Sequence, residues 1–240
     1  MMAATVVLLP GNMCDARLWR ELPPELFGNA QIVHADLTQD ATIKAMAARA
    51  LESAAGTLLP VGFSMGAIVA VEMAKLAPRR VAGLILSGYN ATADLPERAA
   101  RRPLQQAEAM AGGLERLLVE ELKPNYLAAC HRDDAGMLAL LRDMGMSLGS
   151  EVFIRQSEAL RNRADRRKTL TKLNIPVLLA CGLEDQLCPP DWHRQWLAMV
   201  PGSRLAMVAG SGHMLPLEQP DAFAKAIWQW LIDNERKLNL

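Results

Sequence analysis

Short apolar runs alternate with segments of helical period along most of the chain. Residues 5–9 form a continuous apolar run, as in a strand buried on both faces. Pro10-Gly11-Asn12-Met13 punctuates it. Asp15 is placed to cap a short helix through Leu18, Trp19 and Leu22, which Pro23-Pro24 stops. Residues 31–33 read as a short strand, and Asp36 opens a loop. Residues 42–54 carry Ile43, Met46, Ala47, Ala50, Leu51 and Ala54 at helical spacing, the inner stripe of an amphipathic helix. Residues 57–61 are the next strand. Residues 65–76 are apolar nearly all round, as in a helix packed against a sheet, and Pro78 follows. Residues 81–87 form a fourth strand.

This alternation at short spacing predicts a parallel sheet covered on both faces, with right-handed crossovers. Between residues 92 and 173 it breaks. Four helical patterns (96–110, 114–123, 133–146 and 151–167) are joined by Gly112-Gly113, Pro124-Asn125 and Gly149, with no strand among them. We expect a helical cap here, laid over the carboxyl ends of the strands. Strand and helix resume at 175–181, 190–200 and 204–208. A last helix at 220–235 has Phe223, Ala226, Ile227, Trp230 and Leu231 as its stripe, and the charged tail 234–240 is expected to fray. The reading is six strands, a core from residues 1–91 and 174–240, and an insertion of residues 92–173.

Composition changes this picture little. The 240 residues are enough for one sizeable core, and 51% hydrophobic with 22% charged is an ordinary globular balance. Lys plus Arg equals Asp plus Glu at 26 each, so net charge gives no argument for nucleic acid or an anionic membrane as partner. Cys14, Cys130, Cys181 and Cys188 show neither C-x-x-C nor metal-ligand spacing, and no metal or cofactor is expected. The first ten residues lack a basic leader, and no stretch is apolar for long enough to span a bilayer. A cytoplasmic protein is the expectation.

The candidate chemistry begins between a strand and a helix, at Gly62-Phe63-Ser64-Met65-Gly66. This is the G-x-S-x-G pattern of a nucleophile elbow, weak alone and stronger in its strand-turn-helix setting. The glycines are needed because strand and helix crowd the positions two before and two after the serine. A serine hydroxyl is a poor nucleophile at neutral pH and needs a base within reach, held by a third group. In an open parallel sheet those groups come from loops at the carboxyl ends of strands. After residues 175–181 comes Gly182-Leu183-Glu184-Asp185, where Asp185 is the candidate acid and Glu184 the competing, outward-facing carboxylate. Cys188, in the same loop, is a candidate to border the site but reads more readily as a small hydrophobe packing the loop. After residues 204–208 comes a glycine-rich loop with His213, the candidate base. His34, His131 and His193 lack that setting. The oxyanion of acyl transfer needs N–H donors in place beforehand. Met65, at the helix start, offers one, and the loop after the first strand offers another, for which we choose the Asn12 N–H.

Taken together, these segments resemble the α/β-hydrolase superfamily, and within it the small cap-bearing serine hydrolases: carboxylesterases, the methyl-ester esterase of biotin synthesis and the enol-lactonase of aromatic catabolism. Leu8-Leu9-Pro10-Gly11-Asn12 with Trp19 resembles the oxyanion-loop segment, and Gly62–Gly66 the nucleophile motif. Gly182-Leu183-Glu184-Asp185 resembles the acid motif. Gly212-His213-Met214-Leu215-Pro216-Leu217-Glu218-Gln219-Pro220 resembles the histidine segment with its L-E-Q-P ending. The resemblance implies a six-stranded, mainly parallel sheet flanked by helices, with a helical cap. It implies Ser64 as nucleophile, His213 as base and then acid, Asp185 as orienting acid, and the Asn12 and Met65 amides as oxyanion hole. Serine at position 64 argues against the dehalogenases and epoxide hydrolases, which use aspartate. Pro10 stands where the family usually has histidine, and Ala67 where a second glycine is frequent; both departures leave the amides in place. The antiparallel hairpin that often precedes the first strand of such folds is not expected here, leaving an all-parallel sheet.

Specificity must lie in the insertion. Leu118, Met137, Leu141 and Met144, with Met13 and Leu215 from the core loops, are candidates for an apolar pocket, although such stripes are mostly a cap's own core. The basic run Arg161, Arg163, Arg166, Arg167 and Lys168 reads as a solvated helix end, with steering of an anionic substrate or carrier as the alternative. The expected function is hydrolysis of small to medium, largely apolar carboxylic esters through an acyl-enzyme. A lactonase, a thioesterase or acyltransferase, and a C–C bond hydrolase would use the same triad. A noncatalytic binding protein would instead require a blocked or misaligned crevice.

Overall fold

Six strands pair into one sheet in the order β2-β1-β3-β4-β5-β6, and every pairing is parallel. They are β1 (Thr5–Leu9), β2 (Ile32–His34), β3 (Leu58–Phe63), β4 (Leu84–Ser87), β5 (Val177–Gly182) and β6 (Arg204–Val208). The computed structural model describes residues 4–238, apart from the side chains of residues 123 and 124. Residues 1–3, part of the stretch read as leader-free, and residues 239–240, the end of the expected tail, lie outside the described residues.

The helices are α1 (Ile43–Glu52), α2 (Met65–Leu76), α3 (Pro96–Glu108), α4 (Leu114–Arg116), α5 (Ala135–Arg161), α6 (Arg167–Leu170), α7 (Pro190–Met199), α8 (Leu215–Glu218) and α9 (Pro220–Leu238). Local chemistry explains their ends. The Thr42 hydroxyl caps α1 by accepting from Ala45 N–H, the Asp134 carboxylate caps α5 through Met137 N–H, and prolines open α3, α7 and α9. Asp15 accepts from Arg17 N–H at the head of a single tight turn, Ala16–Trp19.

Strand side chains alternate between the two faces, which is why the apolar runs are continuous. Val7, Leu9, Leu58, Leu84, Leu86 and Leu179 pack with α1 and α2 on one side. Val6, Leu8, Leu59, Val61, Ile85 and Leu178 pack with α9 and the Ala16–Trp19 turn on the other. Only the edge strands β2 and β6 are partly exposed.

Between β4 and β5 the chain is helical, as the sequence predicts, but less regular than expected. The segment expected at 114–123 is one turn of α-helix followed by wider, π-type turns over Leu117–Leu122. The two helices expected at 133–146 and 151–167 abut as α5, broken at Gly149 by φ 79° and ψ 174°. A third apolar cluster, Met13, Ala109, Leu114, Leu117, Leu118, Val152 and Phe153, is the cap's own core, and Met13 is its one member from the sheet side. At the other end the chain does not fray at residue 234: α9 continues to a fully buried Leu238. No helix among the described residues is long and apolar enough to cross a membrane.

Strand order reverses between β1 and β3, whose neighbours lie on opposite sides, with Leu9 level with Gly62. A crevice forms at the carboxyl ends of strands flanking such a switch point. The loop after β1 and the turn after β3 meet there.

Candidate active site

The turn after β3 is strained where the chemistry would need it. Ser64 has φ 51° and ψ −112°, one of two non-glycine residues with positive φ among the described residues, and its N–H donates to the Ser87 carbonyl at 2.8 Å. α2 starts at the next residue. The flanking glycines are there for space: a Cβ on Gly62 would lie 2.5 Å from Ala67 Cα, and one on Gly66 would overlap the Leu9 carbonyl.

Three distant segments converge on that serine. His213 Nε2 is 2.9 Å from Ser64 Oγ, and His213 Nδ1 is 2.8 Å from Asp185 Oδ2. The other carboxylate oxygen of Asp185 accepts from the N–H groups of Leu187 and Cys188, both at 2.8 Å. Burial works to raise the Asp185 pKa, but the His213 ring and these donors outweigh it and hold the carboxyl below its usual range. A charged, immobilised carboxylate on Nδ1 sets the tautomer in which Nε2 is free to accept the serine proton. His213 is itself fixed: its N–H donates to the Tyr126 carbonyl at 2.6 Å, and its ring lies between Phe63 and an edge-on Tyr126, at centroid distances of 5.0 and 5.5 Å.

Glu218 ties this loop to the cap. Its Oε1 accepts from Ala128 N–H at 2.6 Å and its Oε2 from Gly212 N–H at 2.8 Å, while burial pushes its pKa up. Glu184, the competing acid, instead takes the Ala129 N–H at 2.9 Å.

The loop after β1 brings Asn12 to the same cavity as Ser64 and Met65. Among the described residues no acceptor takes the N–H of Asn12 or Met65, whereas the neighbouring Met13 N–H is engaged by Gln156 Oε1 at 2.8 Å. Gln156 lies on α5, is 1% exposed, and makes three bonds: its Oε1 also accepts from Asn12 Nδ2 at 3.1 Å, and its Nε2 donates to the Leu37 carbonyl at 3.1 Å. Met13, held at φ 52°, sends its side chain into the cap core. The cap therefore clamps the loop. Nothing in the hydrophobic pattern singles out Gln156; an amide one turn from Val152 and Phe153 on the buried side of a helix was the available signal.

A cavity of about 380 Å³ opens over Ser64 and His213. Its wall corrects the expected pocket. Met13 and Leu118 lie in the cap core, and Leu141, Met144 and Leu215 are fully buried in the layer beside α9, with Met137 packed against it. None of the six borders the cavity: five are buried in the protein interior, and Met137 is partly buried against it. The wall is instead mixed: Ile68, Leu122, Phe153, Leu160 and Leu187 alternate with Asn90, Arg98, Arg102, Asn125, Tyr126 and Arg163. The insertion's candidate leucines and methionines thus do not line the cavity over Ser64; Leu118 borders a separate, mostly apolar hollow in the cap with Val119, Leu138 and Ala139.

The other candidates are dispersed. His34 is exposed at the edge of the sheet. His131 sits in the cap with a buried, unpartnered Nε2. His193 is fully buried, accepting the Tyr89 N–H at 3.1 Å, and burial lowers its pKa. Of the basic run, Arg163 turns inward and is buried against Asp94, Arg166 pairs with the buried Glu72, and Arg161 and Arg167 pair on the surface. Cys188 does border the cavity, and burial pushes its thiol pKa well up, consistent with a packing role. Asp185, Cys188 and His213 are the one grouping of metal-ligating atoms among the described residues, and both ring nitrogens of His213 are already engaged.

Comparison with known proteins bears directly on this arrangement. The sequence profile described as the alpha/beta hydrolase family matches residues 6–226. The chain belongs to that family. Among curated α/β-hydrolase relatives, the pimeloyl-[acyl-carrier protein] methyl ester esterase of Neisseria meningitidis is 28% identical over 68% of this chain and 65% of its own length. Polyketide synthase ThaQ of Burkholderia thailandensis is 27% identical over 96% of the chain but only 12% of its own. The chain thus spans less than two thirds of either relative. Among solved structures, a thermophilic esterase from Thermogutta terrifontis superposes with a TM-score of 0.87 at 25% identity, covering 99% of this chain and 92% of its own. The enol-lactonase of Burkholderia xenovorans LB400 shares the fold, with a TM-score of 0.82 at 20% identity over 97% and 92% of the two chains.

Proposed function

We propose that this protein is a serine hydrolase of carboxylic esters, working through an acyl-enzyme. The observation that carries the reading is the unbroken hydrogen-bonded chain from Ser64 Oγ through His213 to Asp185 at the floor of an open cavity.

In the first half-reaction Ser64 Oγ attacks the ester carbonyl while His213 Nε2 takes its proton. The carbonyl oxygen becomes an oxyanion and accepts from the N–H groups of Asn12 and Met65. Met65, at the start of α2, adds the positive end of that helix. Asp185 stays ionised and stabilises the imidazolium. Collapse of the tetrahedral intermediate expels the alcohol, which receives the proton from Nε2, and leaves Ser64 acylated. Water then attacks the acyl group as His213 takes its proton, and a second collapse releases the acid and restores the Ser64 hydroxyl. An esterase of known structure and a methyl ester esterase among the relatives support esters as the class. A lactone is an internal ester, and the same atoms would open it.

The test is a panel of p-nitrophenyl esters of increasing chain length, with several lactones, assayed on the protein and on Ser64→Ala. Turnover should fall by a factor of about 10⁴ or more in the variant. An organophosphonate should label Ser64, detected by mass spectrometry, and label it far more slowly in His213→Ala. Equal turnover in the protein and in Ser64→Ala would overturn the proposal.

A further inference from the structure

The cavity wall contributed by the cap carries more positive charge than its acids neutralise. Arg98, Arg101, Arg102 and Arg163 all border it. Arg102 and Arg163 share Asp94, at 2.6 and 2.8 Å, and Arg101 pairs with Glu121 at 2.6 Å. Glu121 also accepts from Gln105 Nε2 at 2.7 Å. Four guanidinium groups thus meet two carboxylates, and Arg98 has no acid partner among the described residues.

Helix α3 sets a half-buried Arg98 and a largely covered Arg102 against the cavity, with Arg101 at its rim, 65% exposed. Arg98, Arg101, Arg102 and Gln105 recur at helical spacing and line the cavity, while Leu104 on the same helix is 73% exposed. A surface helix normally does the opposite. A solvated arginine face explains the charges but not a leucine presented to water in exchange for them.

The excess lies close to the reacting groups. Arg98, Arg102 and Arg163 line the same cavity as Tyr126 and Cys188. Tyr126 stands edge-on to the His213 ring, and Cys188 Sγ lies within 4.8 Å of the ligand atoms of Asp185 and His213. Asn90 on the same wall turns its Oδ1 to both the N–H and the hydroxyl of Thr92, at 2.9 and 3.0 Å, and its Nδ2 has no partner among the described residues.

We propose that the substrate carries a carboxylate, seated by Arg98 with Arg102 and Arg163 in support, so that the esters cleaved here are acid-bearing ones. A guanidinium presents a planar fork of donors that a carboxylate matches with two parallel bonds. The same cavity of about 380 Å³ is bordered by Ser64 and by all three arginines. This inference rests on the ester-hydrolase reading and sharpens its substrate class.

The experiment compares each acid-bearing ester with its neutral counterpart. Monomethyl glutarate and monomethyl adipate against their dimethyl esters place the charge on the acyl side, and O-acetylglycolate against its methyl ester places it on the alcohol side. In at least one arm kcat/KM should favour the charged member by about tenfold or more, the scale of one charged hydrogen-bonded pair. That ratio should fall towards one in Arg98→Gln. It should persist in Arg161→Gln, which removes a charge outside the cavity. No preference in any arm overturns the proposal. A second measurement needs no turnover: calorimetric binding of adipate and glutarate to Ser64→Ala, expected to weaken when Arg98→Gln is added. If no ester is cleaved but a diacid binds in an Arg98-dependent way, the seat stands and the esterase reading falls. If esters are cleaved without preference and neither diacid binds, the reverse holds.

Discussion

The sheet and the cap follow different rules of assembly. In the sheet, β1, β3, β4 and β5 are buried from end to end, and a Cβ on Gly62 or Gly66 would strike neighbouring backbone. In the cap, α3 buries no residue, helical turns widen over Leu117–Leu122, and a Cβ on Gly112 would meet nothing within 4 Å. The sheet fixes three side chains in one relay, and that demands close packing. The cap has one side towards solvent and another towards a cavity that must admit substrate. Tight packing surrounds Ser64, His213 and Asp185, while the cap presents a mixed, partly polar wall to the cavity.

The sharpest way to break this contrast is a pair of alanine substitutions. Gly66→Ala should cost of order 4 kcal/mol or prevent folding, since no side-chain rotation relieves a clash with the Leu9 carbonyl. Gly112→Ala, at φ 92° in open space, should cost only about 1 kcal/mol, the strain of a left-handed residue. Denaturant unfolding of both variants checks this. Comparable losses would mean that the cap is packed as tightly as the sheet.

Gln156 tests the seam between the regions. Gln156→Ala should lower kcat about tenfold with KM nearly unchanged, because it loosens the loop bearing the Asn12 amide without touching the substrate seat. A rise in KM alone would make Gln156 part of the pocket rather than a positioning residue.

A smaller effect concerns pH. Burial lowers the pKa of His193 from its ordinary value near 6.5. As pH falls below that value the unfolded chain takes up a proton that the folded one resists, so stability declines with acidity. His193→Gln should flatten that decline just below pH 6.5, seen in the urea midpoint. The lowered pKa of Asp185 acts in the same direction, but only below the ordinary carboxylate range. An unchanged acid limb would show that another group is responsible.

The sequence makes the sheet legible for a physical reason. Strands buried on both faces leave continuous apolar runs, and α2 spans Met65–Leu76 as expected from its all-round apolar character. The loops bearing Ser64, Asp185 and His213 follow from the rule that such a sheet gathers function at one edge. The cavity wall is not legible in that way. Leu118, Leu141 and Met144 read as pocket residues because they are apolar and lie in the insertion, yet they fill interior volume. Nothing in the sequence pattern singles out Arg98 and Arg102, since a residue bordering a hydrated cavity is as polar as one bordering bulk solvent. Polarity alone does not tell the two apart; position in three dimensions does.

The clasp formed by Gln156 and Met13 has a practical consequence for redesign. Exchanging lids between hydrolases is an obvious route to new selectivity, but here the lid also grips the segment bearing one of the two amides proposed to steady the oxyanion. A chimaera that imports a foreign lid would inherit a mispositioned donor along with its new lining, and would need a hydrogen-bond acceptor grafted opposite residue 13 before its selectivity could be judged.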